Sequence, residues 1–329
     1  MKAVVFNRFG PAAEVAELVD VDEPGEPKPG EAIVAVIAGP INPADLLFFS
    51  GDYGIRPKLP APAGGEAVGR VLSVAPDVTT VKPGDLVLTL LGGRSSWREQ
   101  TNTKAAMLFP LPTDADPLQL AMLAVNPPTA LRMLLDFVTL KPGDWVIQNA
   151  ANSGVGHNLM ALARGMGVKT VNLVRRAEAV EETRKLGGDV VLVDGDDLAK
   201  RVLEATGGVK PKLGIDAIAG SATGRLGACL ENGGTVVNYG MLSGKPCEMH
   251  PGDVVFRNVS LKGFWLQTWL MSASREEKVK TYLDLAGKIV DGTIKVAIEA
   301  VYPLREVQQA LAHAAKGGRG GKILLRPND

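Results

Sequence analysis

Cysteine, histidine and aromatic residues are scarce in this chain of 329 residues. It has two cysteines, Cys229 and Cys247, and 5% aromatic residues. A protein of this size needs no disulfide scaffold, so the composition favours a reducing compartment and we expect a cytoplasmic protein. The three histidines, His157, His250 and His313, are far apart and lack the spacing of zinc ligands, so we expect no metal.

The chain also lacks a net charge and a long apolar run. Thirty-six basic residues balance thirty-six acidic ones, so no global field attracts nucleic acid or an anionic membrane. Polar residues and prolines interrupt the most apolar stretch, 118–138, which falls short of the ~20 apolar residues of a membrane span. The opening residues, MKAVVF, alternate like a strand rather than a secretory signal. We therefore expect a small-molecule partner.

The first 115 residues contain short alternating segments between turn signals rich in glycine and proline. They predict strands at 32–37, 67–74 and 86–90, in an antiparallel or partly open barrel. Two helices are predicted next, at 116–125 and 127–137, the second with proline in its first turn.

Strand and helix patterns then alternate, which favours a doubly wound parallel sheet. Strands are predicted at 145–149, 169–174, 189–193, 213–218 and 235–239, with helices at 155–166, 177–187, 198–208 and 221–234. The tail adds helices at 275–290 and 304–314 and a strand at 322–325. We predict an α/β protein with a catalytic domain at 1–124 and 267–329 and a cofactor domain at 125–266.

A glycine-bearing loop joins the first of these parallel strands to its helix, where a dinucleotide pyrophosphate binds. The dinucleotide fingerprint is incomplete, because Ala151 and Ser153 replace two of its glycines. The predicted cofactor ligands of this loop are Asn152, Ser153, Gly154, Val155 and Gly156. In the alternative interpretation, Gly154 and Gly156 only let the helix pack closely on the strand.

Arg175 and Arg176 follow the next strand, where an acidic residue would bind the ribose hydroxyl of NAD. Arginines there match a 2′-phosphate, so the sequence favours NADPH over NADH. The alternative is a pair of solvated arginines at a strand end.

Four segments carry a family resemblance: INPADLLFFSGDYGIRPKLPAPAGGE, VNPPTALRMLLDF, VIQNAANSGVGH and LKGFWL. The chain resembles the zinc-free branch of the medium-chain dehydrogenase/reductase superfamily, and within it the NADPH-dependent trans-enoyl thioester reductases of the mitochondrial type. The resemblance implies a GroES-like, partly open β-barrel beside a Rossmann domain. It also implies a homodimer formed by the edges of the cofactor sheets, with 235–239 and 254–263 as candidate contacts.

The resemblance assigns Tyr53 as the proton donor of the reduction. A phenol stays protonated at neutral pH and can supply a proton to the substrate Cα; the alternative is a buried tyrosine bonded to a backbone carbonyl. Asn42 stands where zinc-dependent relatives carry a cysteine, and would bind substrate or Tyr53, or would simply form an Asn-Pro turn. Glu66 takes the place of a family glutamate, without an assigned catalytic role.

Further cofactor contacts are implied by resemblance alone. Asn126 and Thr129 would lie near the nicotinamide, and Lys322 near the cofactor phosphate. The segments along the cofactor would be Tyr239, Gly240 and Met241, and Phe264, Trp265 and Leu266. Trp265 would also line the acyl pocket. The plain alternatives are a core aromatic residue and a solvated lysine.

Three hypotheses follow. The first is a metal-independent NADPH-dependent reductase of enoyl thioesters, with a conjugated carbonyl compound as substrate. The second is a reductase of quinones or unsaturated ketones in the same branch. The third is a noncatalytic NADPH-binding regulatory protein.

Overall fold

The computed structural model describes residues 1–90 and 95–328 of the chain. It divides into two compact units: unit 1 comprises Met1–Val125 and Arg275–Asp329, and unit 2 comprises Asn126–Ser274. None of the helices in the described ranges combines the length and apolar character of a bilayer-spanning helix.

Strands dominate the first part of unit 1. A 3-10 turn at Ala105–Met107 precedes its last strand. The elements are β1 (Lys2–Phe6), α1 (Ala12–Val15), β2 (Glu17–Asp20), β3 (Glu31–Pro40), α2 (Pro43–Ser50), β4 (Ala61–Pro62), β5 (Ala67–Val74), β6 (Leu86–Thr89), β7 (Gln100–Lys104), β8 (Leu108–Pro110) and α3 (Pro117–Leu120).

Unit 2 alternates helices with strands. Its elements are α4 (Asn126–Asp136), β9 (Trp145–Gln148), α5 (Gly154–Gly165), β10 (Lys169–Val174), α6 (Glu178–Lys185), β11 (Val190–Val193), α7 (Leu198–Ala205), β12 (Leu213–Asp216), α8 (Ser221–Cys229), β13 (Thr235–Asn238), α9 (Pro251–Arg257), β14 (Ser260–Gly263) and α10 (Leu266–Ser272).

The chain then returns to unit 1 for its last elements. A 3-10 turn at Leu304–Glu306 opens the helix that was predicted to begin at residue 304. These elements are α11 (Arg275–Val290), β15 (Ile298–Pro303), α12 (Val307–Ala315) and β16 (Lys322–Arg326).

The described residues of unit 1 form two sheets. The smaller has the order β2-β1-β4, and the larger runs β15-β16-β3-β5-β6-β8 with β7 also paired to β3. All these pairs are antiparallel except β15 with β16. Short alternating strands with turns between them thus give the antiparallel framework that the sequence predicts. An aromatic cluster including Phe6, Phe48, Phe49 and Trp97 fills one core.

Unit 2 has one parallel sheet of six strands in the order β11-β10-β9-β12-β13-β14. This is the doubly wound order of a dinucleotide-binding fold, which confirms the predicted Rossmann architecture. The candidate dimer contact at 235–239 is wrong as a sheet edge, because β13 pairs with β12 on one side and β14 on the other. The strands at the two edges are β11 and β14.

The helix predicted at 116–125 is much shorter, because side chains distant in the sequence bind the backbone groups at its carboxyl end. Asp116 caps α3 by accepting a hydrogen bond from the Leu118 N–H at 2.9 Å. Beyond α3, the Ala124 carbonyl accepts from the Tyr282 hydroxyl at 3.0 Å and the Val125 N–H donates to Glu66 at 2.9 Å. These contacts replace helical hydrogen bonds, so the chain turns here instead of continuing the helix.

Candidate active site

Tyr53 follows α2 through a left-handed turn. Pro43 occupies the first turn of α2, where a missing N–H is harmless, and Gly51 ends the helix with φ of 83°, a conformation that favours glycine. The Tyr53 N–H then donates to the Leu47 carbonyl at 3.1 Å. Its half-buried ring lies edge-on to Phe48, with ring centroids 6.4 Å apart. Tyr53 is therefore anchored through its backbone and its ring.

Asn42 lies at the opposite end of α2 and is buried. Its backbone N–H donates to Asp45 Oδ2 at 2.8 Å, and its side-chain Nδ2 donates to Glu66 Oε1 at 2.6 Å. Its Oδ1 accepts a hydrogen bond from Lys322 Nζ. The amide thus bridges a carboxylate and an ammonium group.

Burial shifts both charged groups toward neutrality. It raises the pKa of Glu66, against the opposing effects of Lys322 and of the Asn42 hydrogen bond. It lowers the pKa of Lys322, against the attraction of Glu66 and Asp45. Lys322, predicted to lie near a cofactor phosphate, donates within unit 1 to Asn42, and its phosphate contact stays a prediction.

In unit 2, Ser153 caps the helix that follows β9. Its Oγ accepts from the Gly156 N–H at 3.2 Å, and Ala150 turns the chain with φ of 48°. A Cβ at Gly156 would lie 2.3 Å from the Ala151 carbonyl oxygen, so only glycine lets the helix approach the loop this closely. The first-turn N–H groups of α5 point out of the helix end and suit a pyrophosphate.

Other predicted cofactor residues follow the carboxyl ends of neighbouring strands, which share one edge of the parallel sheet. The Tyr239 hydroxyl hydrogen-bonds with Ser153, and burial raises the pKa of this phenol. A Cβ on Gly240 would come within 2.6 Å of the Ala217 carbonyl oxygen. Arg175 and Arg176 are exposed directly after β10. The loop and these segments therefore fit a bound dinucleotide phosphate.

The remaining predicted residues of unit 2 fall into two groups by exposure. Asn126 and Thr129 are buried in the first turns of α4. Phe264 lies edge-on to Phe137 with centroids 6.1 Å apart, and Leu266 is buried. The half-exposed side chains are Trp265 at 38% and Met241 at 50%. Trp265 is therefore not a core aromatic residue.

Sequence reasoning missed a buried carboxylate at the same sheet edge. Asp216 ends β12 with no exposed surface. Its donors are Asn149 Nδ2, the Ile218 and Ala219 N–H groups, the Thr223 hydroxyl and Asn238 Nδ2, at 2.6–3.1 Å. It thereby ties together the ends of β9, β12 and β13. The available signal was an acid at a strand end, which alone does not distinguish a buried side chain from a solvated one.

His157, in the first turn of α5, is not part of a cluster of metal ligands among the described residues. Both ring nitrogens are buried without a hydrogen-bond partner among the described residues, and burial lowers the pKa of this imidazole to about 4. Across residues 1–90 and 95–328, no group of three or more His, Cys, Asp or Glu side chains is placed to hold a metal ion.

Comparisons with known proteins agree with this two-unit arrangement. Residues 28–113 match the alcohol dehydrogenase GroES-like domain, and residues 154–288 match the zinc-binding dehydrogenase domain. The fold and its cofactor edge thus define a two-domain member of the medium-chain dehydrogenase/reductase class, with the predicted GroES-like and Rossmann parts confirmed.

The similar curated proteins specify the family further. The mitochondrial enoyl-[acyl-carrier-protein] reductase of Arabidopsis thaliana is 37% identical over 98% of this chain and 88% of that protein. The Caenorhabditis elegans protein of the same name is 37% identical over 89% of this chain and 86% of its own length. The solved Escherichia coli quinone oxidoreductase complexed with NADPH is 27% identical, covers 99% of this chain and 100% of its own, and has a TM-score of 0.89. The chain belongs to the enoyl-[acyl-carrier-protein] reductase family.

Proposed function

We propose that this protein reduces the conjugated double bond of enoyl thioesters with NADPH. The observation that carries the proposal is the 37% identity to an enoyl-[acyl-carrier-protein] reductase along 98% of the chain. The E. coli neighbour complexed with NADPH supports the choice of cofactor, as do the exposed arginines after β10.

Tyr53 is the proposed proton donor of the reaction. NADPH, when bound, supplies a hydride to the substrate Cβ. Negative charge then collects on the thioester oxygen, and Tyr53 gives its phenolic proton to Cα. Asn42, whose amide is held between Glu66 and Lys322, is proposed to keep the helix that leads to Tyr53 in place.

In unit 2 the proposed cofactor ligands divide by function. Residues 152–156 would hold the pyrophosphate at the N-terminus of α5, and Arg175 and Arg176 would pair with the 2′-phosphate. Asn126 and Thr129 would contact the nicotinamide. Residues 239–241 and 264–266 would lie along the cofactor, with Trp265 also lining the acyl pocket.

The direct test is NADPH oxidation with a crotonyl thioester, a small quinone and an aliphatic aldehyde, each with and without a chelator. Reduction of the thioester that survives chelation supports the proposal and its metal independence. Turnover of quinone alone favours the second candidate, and NADPH binding without turnover of any acceptor favours a noncatalytic regulator.

Replacing the proposed donor tests the chemistry itself. Tyr53→Phe removes the phenolic proton but keeps the ring on Phe48, so we expect NADPH affinity to persist while kcat falls about 100-fold or more. Tyr302→Phe is the matched control, since Tyr302 packs against the same core cluster but its hydroxyl bonds His313 at 2.9 Å. Full activity of Tyr53→Phe would show that another acid or water delivers the proton.

A quinone reductase is the second candidate, favoured by one observation. The E. coli quinone oxidoreductase matches 99% of this chain with a TM-score of 0.89. The same hydride and proton transfers would serve any acceptor whose double bond is conjugated to a carbonyl. The ratio of kcat/KM for crotonyl thioester to that for quinone distinguishes the two.

A homodimer joined at β14 is a further part of the proposal. β14 is an edge strand, and such an edge is a template for pairing with another chain. Phe256 on the preceding helix is 85% exposed, and Leu261 in the strand is exposed too. Sedimentation of the purified protein should give a dimer, and Phe256→Glu should weaken it by placing two carboxylates at the interface. A monomeric wild-type protein would refute this arrangement.

A cytoplasmic location is retained as a proposal. Both cysteines, Cys229 and Cys247, are free thiols, which suits a reducing compartment. The similar curated proteins are named as mitochondrial, so cell fractionation with a mitochondrial marker decides between the two sites.

A further inference from the structure

Glu66 carries a fully buried carboxylate in the segment between β4 and β5. Its Oε1 accepts from Asn42 Nδ2 at 2.6 Å, and its Oε2 accepts from the Val125 N–H at 2.9 Å. Each oxygen thus faces an N–H donor. This arrangement complements an ionised carboxylate, because a protonated oxygen would set its own hydrogen against a donor.

Lys322 supplies the matching positive charge. Its ammonium is buried and donates to Asn42 Oδ1. The Asn42 amide therefore has its oxygen toward the cation and its nitrogen toward the anion. With both partners present, this order leaves one orientation of the Asn42 side chain favoured.

One arm of this network leads to the proposed proton donor. Asn42 directly precedes α2, and its N–H is fixed by Asp45 in the first turn. α2 has only eight residues. At its far end, the Leu47 carbonyl accepts the Tyr53 N–H. We therefore expect a displacement of Asn42 to move this short helix and, with it, Tyr53.

The other arm leads to the proposed nicotinamide contact. The Val125 N–H is held by Glu66, and the preceding carbonyl, that of Ala124, is held by the Tyr282 hydroxyl. Two consecutive backbone groups are thus fixed by buried side chains. Asn126 is the next residue and the first of α4.

We propose that Glu66 is a positioning residue whose two carboxylate oxygens jointly fix the segment leading to Tyr53 and the segment leading to Asn126, with Lys322 holding the bridging amide. The inference rests on the proposed function, since it is for enoyl reduction that Tyr53 and Asn126 matter. Glu66 itself need not touch substrate or cofactor.

Glu66→Gln tests the proposal. Asn42 and Val125 donate to different oxygens of Glu66. A glutamine replaces one of these oxygens with an NH2 group, so one of the two N–H donors loses its acceptor. We expect kcat per NADPH-binding site to fall about 10-fold to 100-fold, because a small misplacement of the reacting groups lowers the rate of the chemical step. KM for the thioester should change little. The control is Glu31→Gln at the surface. Its Oε2 accepts from both the Asn102 side chain and the Lys28 N–H, so one glutamine oxygen can keep both contacts.

A second readout does not depend on activity. The four tyrosines can be labelled as fluorotyrosine and assigned by single Tyr→Phe changes. Glu66→Gln should move the fluorine NMR signal of Tyr53 and leave that of Tyr302 unchanged, while Glu31→Gln should move neither. If Glu66→Gln is poorly folded, Glu66→Gln with Lys322→Met removes the uncompensated ammonium and is measured instead.

The outcomes separate the two levels of the argument. If the wild-type protein reduces no thioester and Glu66→Gln still moves the Tyr53 signal, the proposed function is overturned and the positioning role is supported. Unchanged kcat per binding site together with an unmoved Tyr53 signal would falsify the role of Glu66 while leaving the reductase function intact.

Discussion

Two glycines in one helix allow the cofactor loop to be tested by the same substitution at opposite ends of α5. Gly156 lies where the helix meets the loop, and its added Cβ would stand 2.3 Å from the Ala151 carbonyl oxygen and 2.7 Å from its carbonyl carbon. Ordinary contacts begin near 3.4 Å, so the backbone of Gly156 and that of Ala151 would have to move apart by about 1.1 Å. Gly165, at the exposed end, has nothing within 4 Å of an added Cβ.

Gly156→Ala should destabilise the protein by about 2–3 kcal/mol, the upper part of the overpacking range, because the obstructing atoms are backbone. A shift of this size moves the capped helix end, so NADPH affinity should fall about 10-fold or more. Gly165→Ala should instead stabilise by up to about 1 kcal/mol, since alanine favours a helix, with NADPH affinity unchanged.

Urea unfolding and fluorescence titration with NADPH measure both effects. The comparison cancels any general effect of alanine in α5. If Gly156→Ala binds NADPH as the wild type does, the close approach of helix and loop is not what shapes the cofactor site.

Two further predictions concern charge. Replacing Arg175 and Arg176 with alanine should raise the Kd of NADPH about 10-fold or more by removing charge-assisted hydrogen bonds to phosphate, while the Kd of NADH, measured by the same titration, stays constant; equal losses for both would refute the assignment. Lys322→Met removes the cation that opposes the raised pKa of Glu66, so that pKa should rise further. An acid with a raised folded pKa adds stability that is complete below its unfolded value of 4.5 and is lost as pH rises through the folded value. The test compares the urea midpoints of Lys322→Met and of the double variant Lys322→Met with Glu66→Gln. Between about pH 5 and about pH 8, the midpoint of the single variant should decrease relative to that of the double variant. A difference that stays constant with pH would show that Glu66 does not titrate.

The parallel sheet was predictable because its signals are local. Strands buried on both faces give short apolar runs such as Trp145, Val146 and Ile147 in β9, and each is followed by a helix pattern. The predicted start of 169–174 matches β10, and 275–290 matches α11. The order of the strands depends on pairing between distant segments. β13 lies inside the sheet because β14 pairs beside it, so residues 235–239 do not form the expected sheet edge.

The helix predicted at 116–125 shows that a local pattern can also predict too much structure. Its sequence has good helical pattern, and the chain forms only four helical residues there. The competing hydrogen bonds join distant parts of the sequence. Glu66, which accepts from the Val125 N–H, is 59 residues from Val125, and Tyr282, which donates to the Ala124 carbonyl, is 158 residues from Ala124. Tertiary contacts therefore override local propensity at the point where the chain leaves unit 1.

The residues of the candidate site also differ in whether local sequence patterns could predict them. Ser153, Gly156 and Arg175 could be predicted as cofactor ligands from local patterns, because each lies at a fixed place next to a strand of the repeated strand–helix alternation. The bonds of Asn42 to Glu66 and to Lys322 span 24 and 280 residues, and no spacing rule links them. Burial makes Glu66, Asn42 and Lys322 depend on one another, because an isolated buried charge costs more than a buried pair joined by a bridging amide. Substituting one member therefore acts on all three, and the sequence could name these positions without revealing that they act together.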